Sequence, residues 1–235
     1  MIKHFDEILS TSAYLKANID NFGHGDIVWA DFQTAGYGQK GNHWESERGM
    51  NALFSMKMEP IKIAPADGFV LTEMVTLGIL DALPGNEIEI KWPNDIYIGD
   101  RKLAGILVEA TMSSTSFMTA VVGIGLNLNQ TEFFSDAPNP VSLKQINGKE
   151  YKIDETIENI CQCILKRYEC TDYDALHKEY LSHLYRINEW HKYQLPSGEI
   201  FEAKIEDVDR NGLLVVETRD GSLKRFEFKT IKYIL

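Results

Sequence analysis

Two stretches of the chain gather residue types suited to handling an anion. The first is residues 33–44, where Gly36, Gly38 and Gly41 satisfy G-x-G-x-x-G spacing after a strand. A dinucleotide fold also needs a helix opening on the last glycine, and the following Asn-His-Trp-Glu-Ser-Glu-Arg-Gly does not supply one. The physical alternative is a loop of backbone N–H groups that wraps an anion or nucleotide, with Lys40 as a mobile positive charge. A plain surface loop with glycine turns is the bland counterpart. The second stretch is Lys91-Trp92-Pro93-Asn94-Asp95, followed by Arg101-Lys102-Leu103-Ala104-Gly105. Pro93 restricts itself and its predecessor, which places Asn94 and Asp95 at a fixed strand exit. Lys91 and Lys102 flank a tight turn, so two cations and a carboxylate are expected to converge, an arrangement suited to activating a phosphate or carboxylate. Against this, Asp100-Arg101-Lys102 also reads as an ordinary charged hairpin tip.

Other chemistry is poorly supported. Cys161 and Cys163 lack metal-ligand spacing and sit on a predicted helix, with Cys161 facing the core. The six histidines form no HxxxH or HExxH pair. No G-x-S-x-G elbow and no Walker A sequence is present. Ser10, Thr11 and Ser12 precede a short helical stretch and are natural caps for it. Lys and Arg number 24 against 35 Asp and Glu, and the resulting net charge of −11 repels phosphates, which argues against non-specific nucleic-acid binding. Three cysteines clustered at 161, 163 and 170 make a poor disulfide framework and point to a reducing cytoplasm. No signal peptide is evident, and charges or glycines break every apolar stretch before it reaches membrane-spanning length.

The elements that must position these residues follow from periodicity. Strands are expected at 26–32, 50–58, 87–91, 95–98, 103–110 and 118–126, the last ending in the glycine-rich run Gly-Ile-Gly-Leu-Asn-Leu-Asn. Helices are expected at 65–82, from Asp154 as N-cap through Tyr168, and at 173–186, while 130–148 reads as a loop. Beyond a boundary near 187, strands at 199–206, 213–218 and 223–228 are parted by Asn211-Gly212 and Asp220-Gly221, both hairpin signals. The fold class is α+β: a mixed β-sheet with helices packed on one face, then a small antiparallel β unit.

The motifs at 91–109 (KWPNDIYIGDRKLAGILVE), 34–46 (TAGYGQKGNHWES), 121–129 (VVGIGLNLN) and 10–12 (STS) agree in order and spacing with one family. The chain resembles a biotin–protein ligase of the single-function type without an N-terminal DNA-binding domain. The resemblance implies a class II aminoacyl-tRNA synthetase-like catalytic domain over 1–187 and an SH3-like C-terminal domain over 188–235. It implies biotin, ATP and Mg²⁺ as small-molecule requirements, formation of biotinyl-5′-adenylate, and transfer to a lysine of a biotin carboxyl carrier protein. No nucleic-acid or membrane partner is expected, and a homodimer is left open.

Carried over position by position, Ser10, Thr11 and Thr34 match the polar wall at the biotin head group, with Ser12 and Gln33 beside them. Gly36, Tyr37, Gly38, Gln39, Lys40 and Gly41 match the loop that closes over biotin and adenylate. Lys102 matches the lysine near the reacting carboxylate and α-phosphate, and Asp95 the aspartate that orients the acceptor lysine and assists its deprotonation. Gly105 and Leu107 match backbone contacts to biotin, while Trp44, Gly123, Gly125 and Asn127 match the adenylate side; Lys91 and Asn94 complete the binding set. The departures are specific. The family loop usually reads GRGRRG and here reads GYGQKG, the usual STN is Ser10-Thr11-Ser12, and the usual head-group glutamine is Thr34. Tyrosine cannot replace guanidinium as a bidentate phosphate donor. The loop is expected to be mobile when empty and to order over its ligand. Rival readings are a lipoate or octanoate enzyme of the same fold, and a non-catalytic biotin- or nucleotide-binding homologue.

Overall fold

The computed structural model describes residues 1–39, 43–59, 63–64, 67–85, 87–112, 117–134 and 139–234. The elements run β1 (Ile2–Phe5), α1 (Thr11–Ala17), β2 (Ile27–Ala30), β3 (Ala52–Met58), α2 (Val70–Ala82), β4 (Ile88–Lys91), β5 (Asp95–Ile98), β6 (Arg101–Met112) and β7 (Phe117–Leu126). They continue with α3 (Leu143–Asn147), α4 (Ile153–Tyr168), α5 (Tyr173–Ser182), β8 (Trp190–Gln194), β9 (Ile200–Val208), β10 (Leu214–Thr218), β11 (Leu223–Phe226) and β12 (Lys232–Tyr233).

The larger sheet has the order β1-β2-β3-β7-β6-β5-β4. Among the described strands of this sheet only β1 and β2 pair in parallel, so the sheet is mixed. Every residue of β3 is buried, because both faces of this strand are covered. Phe54, Met56 and Met58 enter the main core with Met74 and Leu77 of α2 and Ile160 and Ile164 of α4. The opposite face is covered by α1, where Leu15 packs with Phe22, Val28 and Val121. The long helices thus share one face, as the apolar patterning predicts, and the short α1 takes the other.

Several boundaries differ from the sequence reading. Helix α2 starts at Val70, not 65, and residues 67–69 form the turn before it. Helix α4 starts at Ile153, so Asp154 lies in its first turn and Lys152 is the N-cap. Helix α5 ends at Ser182, and 183–187 turns away from it. The expected loop at 130–148 contains α3, made by a capping box in which Ser142 and Gln145 exchange side-chain and backbone hydrogen bonds; Gly148 ends it at φ 67°. Three strands escape the periodicity reading: β1, β8 and β12, the first two on partly exposed backbone and the last only two residues long.

The second sheet has the order β11-β10-β9-β8-β12. Its inward residues Tyr193, Ile205, Val216 and Tyr233 are buried in the same apolar cluster as α2 and α4. Several polar contacts fix its β9–β10 hairpin to the rest, Arg210 with Asp67 and Asp174 among them. Trp92 Nε1 donates to the Gly212 carbonyl at 2.9 Å. His177 of α5 lies 2.7 Å from Glu73 through Nδ1 and 3.0 Å from Asp207 through Nε2. Ionised carboxylates only accept, so both contacts are hydrogen bonds only when both ring nitrogens are protonated. The hydrogen bond to buried Glu73 is the main cause that raises the His177 pKa, followed by partial burial, which opposes it, and by Asp207.

The folded-state pKa therefore exceeds the unfolded value. The stabilisation is fully present below about pH 6.5, the ordinary histidine value, and is lost as pH rises through the raised folded pKa. Urea unfolding of wild type and His177→Gln across pH 5.5–8.5, in buffers chosen at about equal ionic strength, should give a stability gap that narrows with rising pH. A gap constant over that window would remove the imidazolium from the latch.

Candidate functional site

The floor of the site is the β6–β7 pair, in register Gly105↔Gly125 and Leu107↔Gly123. A Cβ on Gly125 would lie 2.5 Å from Trp44 Cε2, and one on Gly123 would lie 2.6 Å from Ser12 Oγ. The missing side chains are therefore what let the Trp44 indole and the start of α1 settle on the sheet. A register shift between Ile96 and Tyr97 then sets the side-chain directions. Asp95 pairs with Gly105 while Tyr97 pairs with Lys102, so two residues of β5 oppose three of β6. Lys102 and Gly105, three apart, consequently face the same way, and Lys102 Nζ would lie 3.4 Å from a Cβ on Gly105. There Lys102 Nζ meets Asp95 Oδ1 at 2.7 Å, with about a fifth to a quarter of each side chain exposed. Asn94 holds the turn in place: its side chain donates to the Ile106 carbonyl, and its own carbonyl accepts from Ile106 N at 3.0 Å.

The wall opposite is α1. Ser10 caps the helix, accepting from Ala13 N, and Ser10, Thr11 and Ser12 are all buried. Thr11 and Ser12 each meet Ser55 Oγ of β3 at 2.8 Å. Gln33 Oε1 accepts from Thr11 N at 2.7 Å and from its hydroxyl at 3.1 Å. Gln33, not Thr34, is the inward residue: Ile8 bridges to Gln33, and Thr34 is exposed. This corrects the placement of Thr34 in the polar wall: it lies in the turn that follows the Gln33 bridge and is exposed.

These elements enclose a cavity of about 610 Å³. Its lining includes Ser10, Thr11, Ser12, Gln33, Tyr37, Gly38, Gln39 and Trp44 from the first half of the chain. Asn94, Asp95, Lys102, Gly105, Leu107, Gly123, Gly125 and Asn127 complete the expected set that the fold brings together. Lys40 and Gly41 lie outside the described residues. Gly36 is beside the cavity without lining it; its carbonyl accepts from Trp44 N at 3.1 Å, and Tyr37 bridges to His43, so the two described limbs of the loop meet each other. Two polar atoms of lining residues, Trp44 Nε1 and Asn127 Oδ1, are buried with no hydrogen-bond partner among the described residues.

Lys91 does not join Lys102 and Asp95. Its Nζ donates to Tyr97 OH at 2.9 Å and lies 4.3 and 4.9 Å from the Tyr97 and Tyr233 ring centroids. Burial pushes its pKa down to about 8, with Asp95 opposing and Lys102 adding to the shift. The expected convergence of two cations on one carboxylate is thus reduced to one, because the second is drawn into an aromatic pocket. Cys161 is in the core, where burial pushes its thiol up to about 12. The sequence reading missed His43, Glu45, Phe133, Pro140 and Phe228, which also line the cavity. It also missed Ser55, whose signal was a hydroxyl in the middle of an apolar strand. Phe228 had none, since it arrives from the second sheet.

The arrangement offers a cation paired with a carboxylate at one end, a side-chain-free floor, and hydroxyl and amide groups along one wall. Comparisons with known proteins point the same way. Residues 5–127 match the model of the biotin/lipoate A/B protein ligase family. The bifunctional ligase/repressor BirA of Bacillus spizizenii is 31% identical over 238 residues, covering 93% of this chain and 70% of that protein. The biotin–[acetyl-CoA-carboxylase] ligase of Mycobacterium tuberculosis is 25% identical over 201 residues, covering 82% and 73%. In fold, the chain is similar to the biotin protein ligase of Aquifex aeolicus in complex with biotin and ATP. The TM-score is 0.80 at 24% identity, with 99% of each chain covered.

Two measurements check the geometry. Gly125→Ala should drive the indole off the floor and cost roughly 1–3 kcal/mol, typical of an added methyl in a packed site. Tryptophan emission should shift to the red in Gly125→Ala but not when Trp44→Phe is also present; identical emission from wild type and Gly125→Ala would contradict the contact. Separately, the Lys91 Cε resonance should titrate near pH 8. The unfolded lysine binds more protons between about 8 and its ordinary value near 10.4, so this group's contribution to stability rises with pH there. A midpoint at the ordinary value would place Lys91 in water.

Proposed function

The chain belongs to the biotin/lipoate A/B protein ligase family, and from that premise we propose that it is an ATP-dependent biotin–protein ligase that acts on a biotin carboxyl carrier domain. The observation that carries this reading is the Lys102–Asp95 pair set over the glycine floor, at the end of a cavity walled by Thr11, Ser12 and Gln33. The Mycobacterium tuberculosis relative, a biotin ligase by name, supports biotin over lipoate as the acid.

In the first step a biotin carboxylate oxygen attacks the α-phosphorus of ATP, and the bond to pyrophosphate breaks. ATP enters as its magnesium complex, so the metal is part of a substrate. Lys102 Nζ sits where the attacking carboxylate and the α-phosphate oxygens carry negative charge. A fixed cation at low local dielectric stabilises the crowded anionic transition state without having to reorganise. The wall hydroxyls and the Gln33 amide form a network suited to the polar head group, while Leu107 and the open floor take its apolar part.

In the second step the ε-amine of the carrier lysine attacks the acyl carbon of biotinyl-adenylate, and AMP leaves. The amine must shed a proton and approach along one line. Asp95, which lines the cavity and is held by Asn94 and the β5–β6 shift, accepts a hydrogen bond from the amine and takes up the proton that it loses. A hydrogen bond of this kind fixes the line of attack. Residues 1–187 and 188–235 are read as the catalytic and SH3-like domains. The three free cysteines accord with a cytoplasmic setting.

The test combines biotin, MgATP and an apo carrier domain. The expected outcome is pyrophosphate release and a carrier heavier by one biotinyl group. Lys102→Ala should fold normally, because Lys102 fills no core space, and should slow adenylation roughly a hundredfold, the effect of about 3 kcal/mol. Biotin binding with neither product would leave a binding protein in place of an enzyme.

A further inference from the structure

The first limb of the glycine loop makes a contact that the ligase reading does not use. Lys16, in the last turn of α1, donates from Nζ to Glu109 Oε1 of β6 at 2.7 Å. The same ammonium lies 5.5 Å from the centroid of the Tyr37 ring, and the Tyr37 hydroxyl is 3.5 Å from Glu109 Oε2. Helix, loop and sheet therefore meet at one ion pair. Glu109 is two residues beyond Leu107 and four beyond Gly105, so alternation puts all three on the face that carries the floor. The contact stands at the end of that floor away from Lys102. Both charged side chains are about one-third exposed, at 39% and 33%, and neither lines the cavity.

We propose that Lys16 and Glu109 are positioning residues that hold Tyr37, and with it the first limb of the loop, over the Leu107 end of the cavity before any ligand arrives. The inference deepens the biotin-site reading and rests on it for the meaning of the cavity. An arginine on the loop would reach for an anionic ligand, so closure would wait for that ligand. Here the loop residue is an uncharged ring, and the cation stands on α1, neutralised by Glu109 and facing the ring. The anchor is internal to the protein. Tyr37 gives up phosphate contact and gains a fixed seat by cation–π attraction and packing. A loop held in this way meets biotin already in place, which lowers the ordering cost that ligand contacts must offset.

The test uses the full chain and the variants Lys16→Met, Glu109→Gln and Lys16→Arg. Two readouts are followed: exchange of the Trp44 amide in the ligand-free protein, which donates to the Gly36 carbonyl, and KM for biotin against kcat for biotin-dependent pyrophosphate release. An exposed ion pair and a cation–π contact together give about fivefold. Lys16→Met and Glu109→Gln should therefore speed Trp44 exchange and raise KM for biotin by about that factor, with kcat within about twofold. Lys16→Arg, which keeps both contacts, should behave as wild type. Unchanged Trp44 exchange in both charge-removing variants would overturn the proposal, as would a fall in kcat at constant KM. If wild type releases no pyrophosphate with biotin, the ligase reading fails while the exchange measurement still decides the contact.

Discussion

The pairing of β6 with β7 is the constraint on which the site depends. Where two strands lie at the centre of a sheet, side chains normally fill the space above them. Gly105, Gly123 and Gly125 carry no side chain on one face, which lets other groups approach the backbone there. Trp44 lies against Gly105 and Gly125 and Ser12 against Gly123, and the cavity opens beside them. The other face of the same strands has no such gap: Ala104, Ile106, Val122, Ile124 and Leu126 are buried in the main core with α2 and α4. One strand pair thus serves as core on one side and as site on the other. The two-residue alternation of strands makes this division possible without any compromise in packing.

Much of this was legible, and the parts that were not share a cause. The strands carrying the glycines, the hairpin at 99–100 and the helices α2 and α4 follow from periodicity and turn residues. The joint presence of Lys102, Asp95 and the glycine loop was visible as chemistry before any fold was known. What periodicity cannot supply is side-chain direction after an irregularity. Lys91 and Lys102 look equivalent along the chain, yet one is drawn between Tyr97 and Tyr233 and the other is turned over Gly105 by the β5–β6 shift. Thr34 and Gln33 are adjacent polar residues, and only the bridge from Ile8 decides which faces inward. Phe228 reaches the cavity across the whole length of the chain, and no local pattern can announce such a contact.

The charge balance of the site follows from the same separation. A surface of net charge −11 does not favour the approach of ATP or of a carboxylate, so attraction must be local. Lys102 supplies it among the described lining residues, and its distance from Lys91 has a consequence. Two full cations facing one carboxylate would repel each other and raise the cost of desolvating the site. Burial of Lys91 lowers its pKa to about 8, so part of its population is neutral near physiological pH, and its hydrogen bond to Tyr97 needs no charge. The cation in contact with Asp95 is Lys102, while Lys91 stays in its aromatic pocket.

The second sheet bears on the chemistry through the turn that carries Asp95. Trp92, two residues before Asn94, is buried, donates to the Gly212 carbonyl and meets the Phe228 ring edge to face at 6.2 Å. The same hairpin is tied to α2 and α5 through His177 and its two carboxylates. A tryptophan held by the second sheet at one end of the turn, and an asparagine held by β6 at the other, leave Asp95 little freedom. A carboxylate that orients an incoming amine and assists its deprotonation needs that rigidity, since a displacement of about 1 Å can cost two orders of magnitude in rate. The fold therefore fixes Asp95 from both sides, with the glycine floor setting one coordinate and the C-terminal hairpin the other.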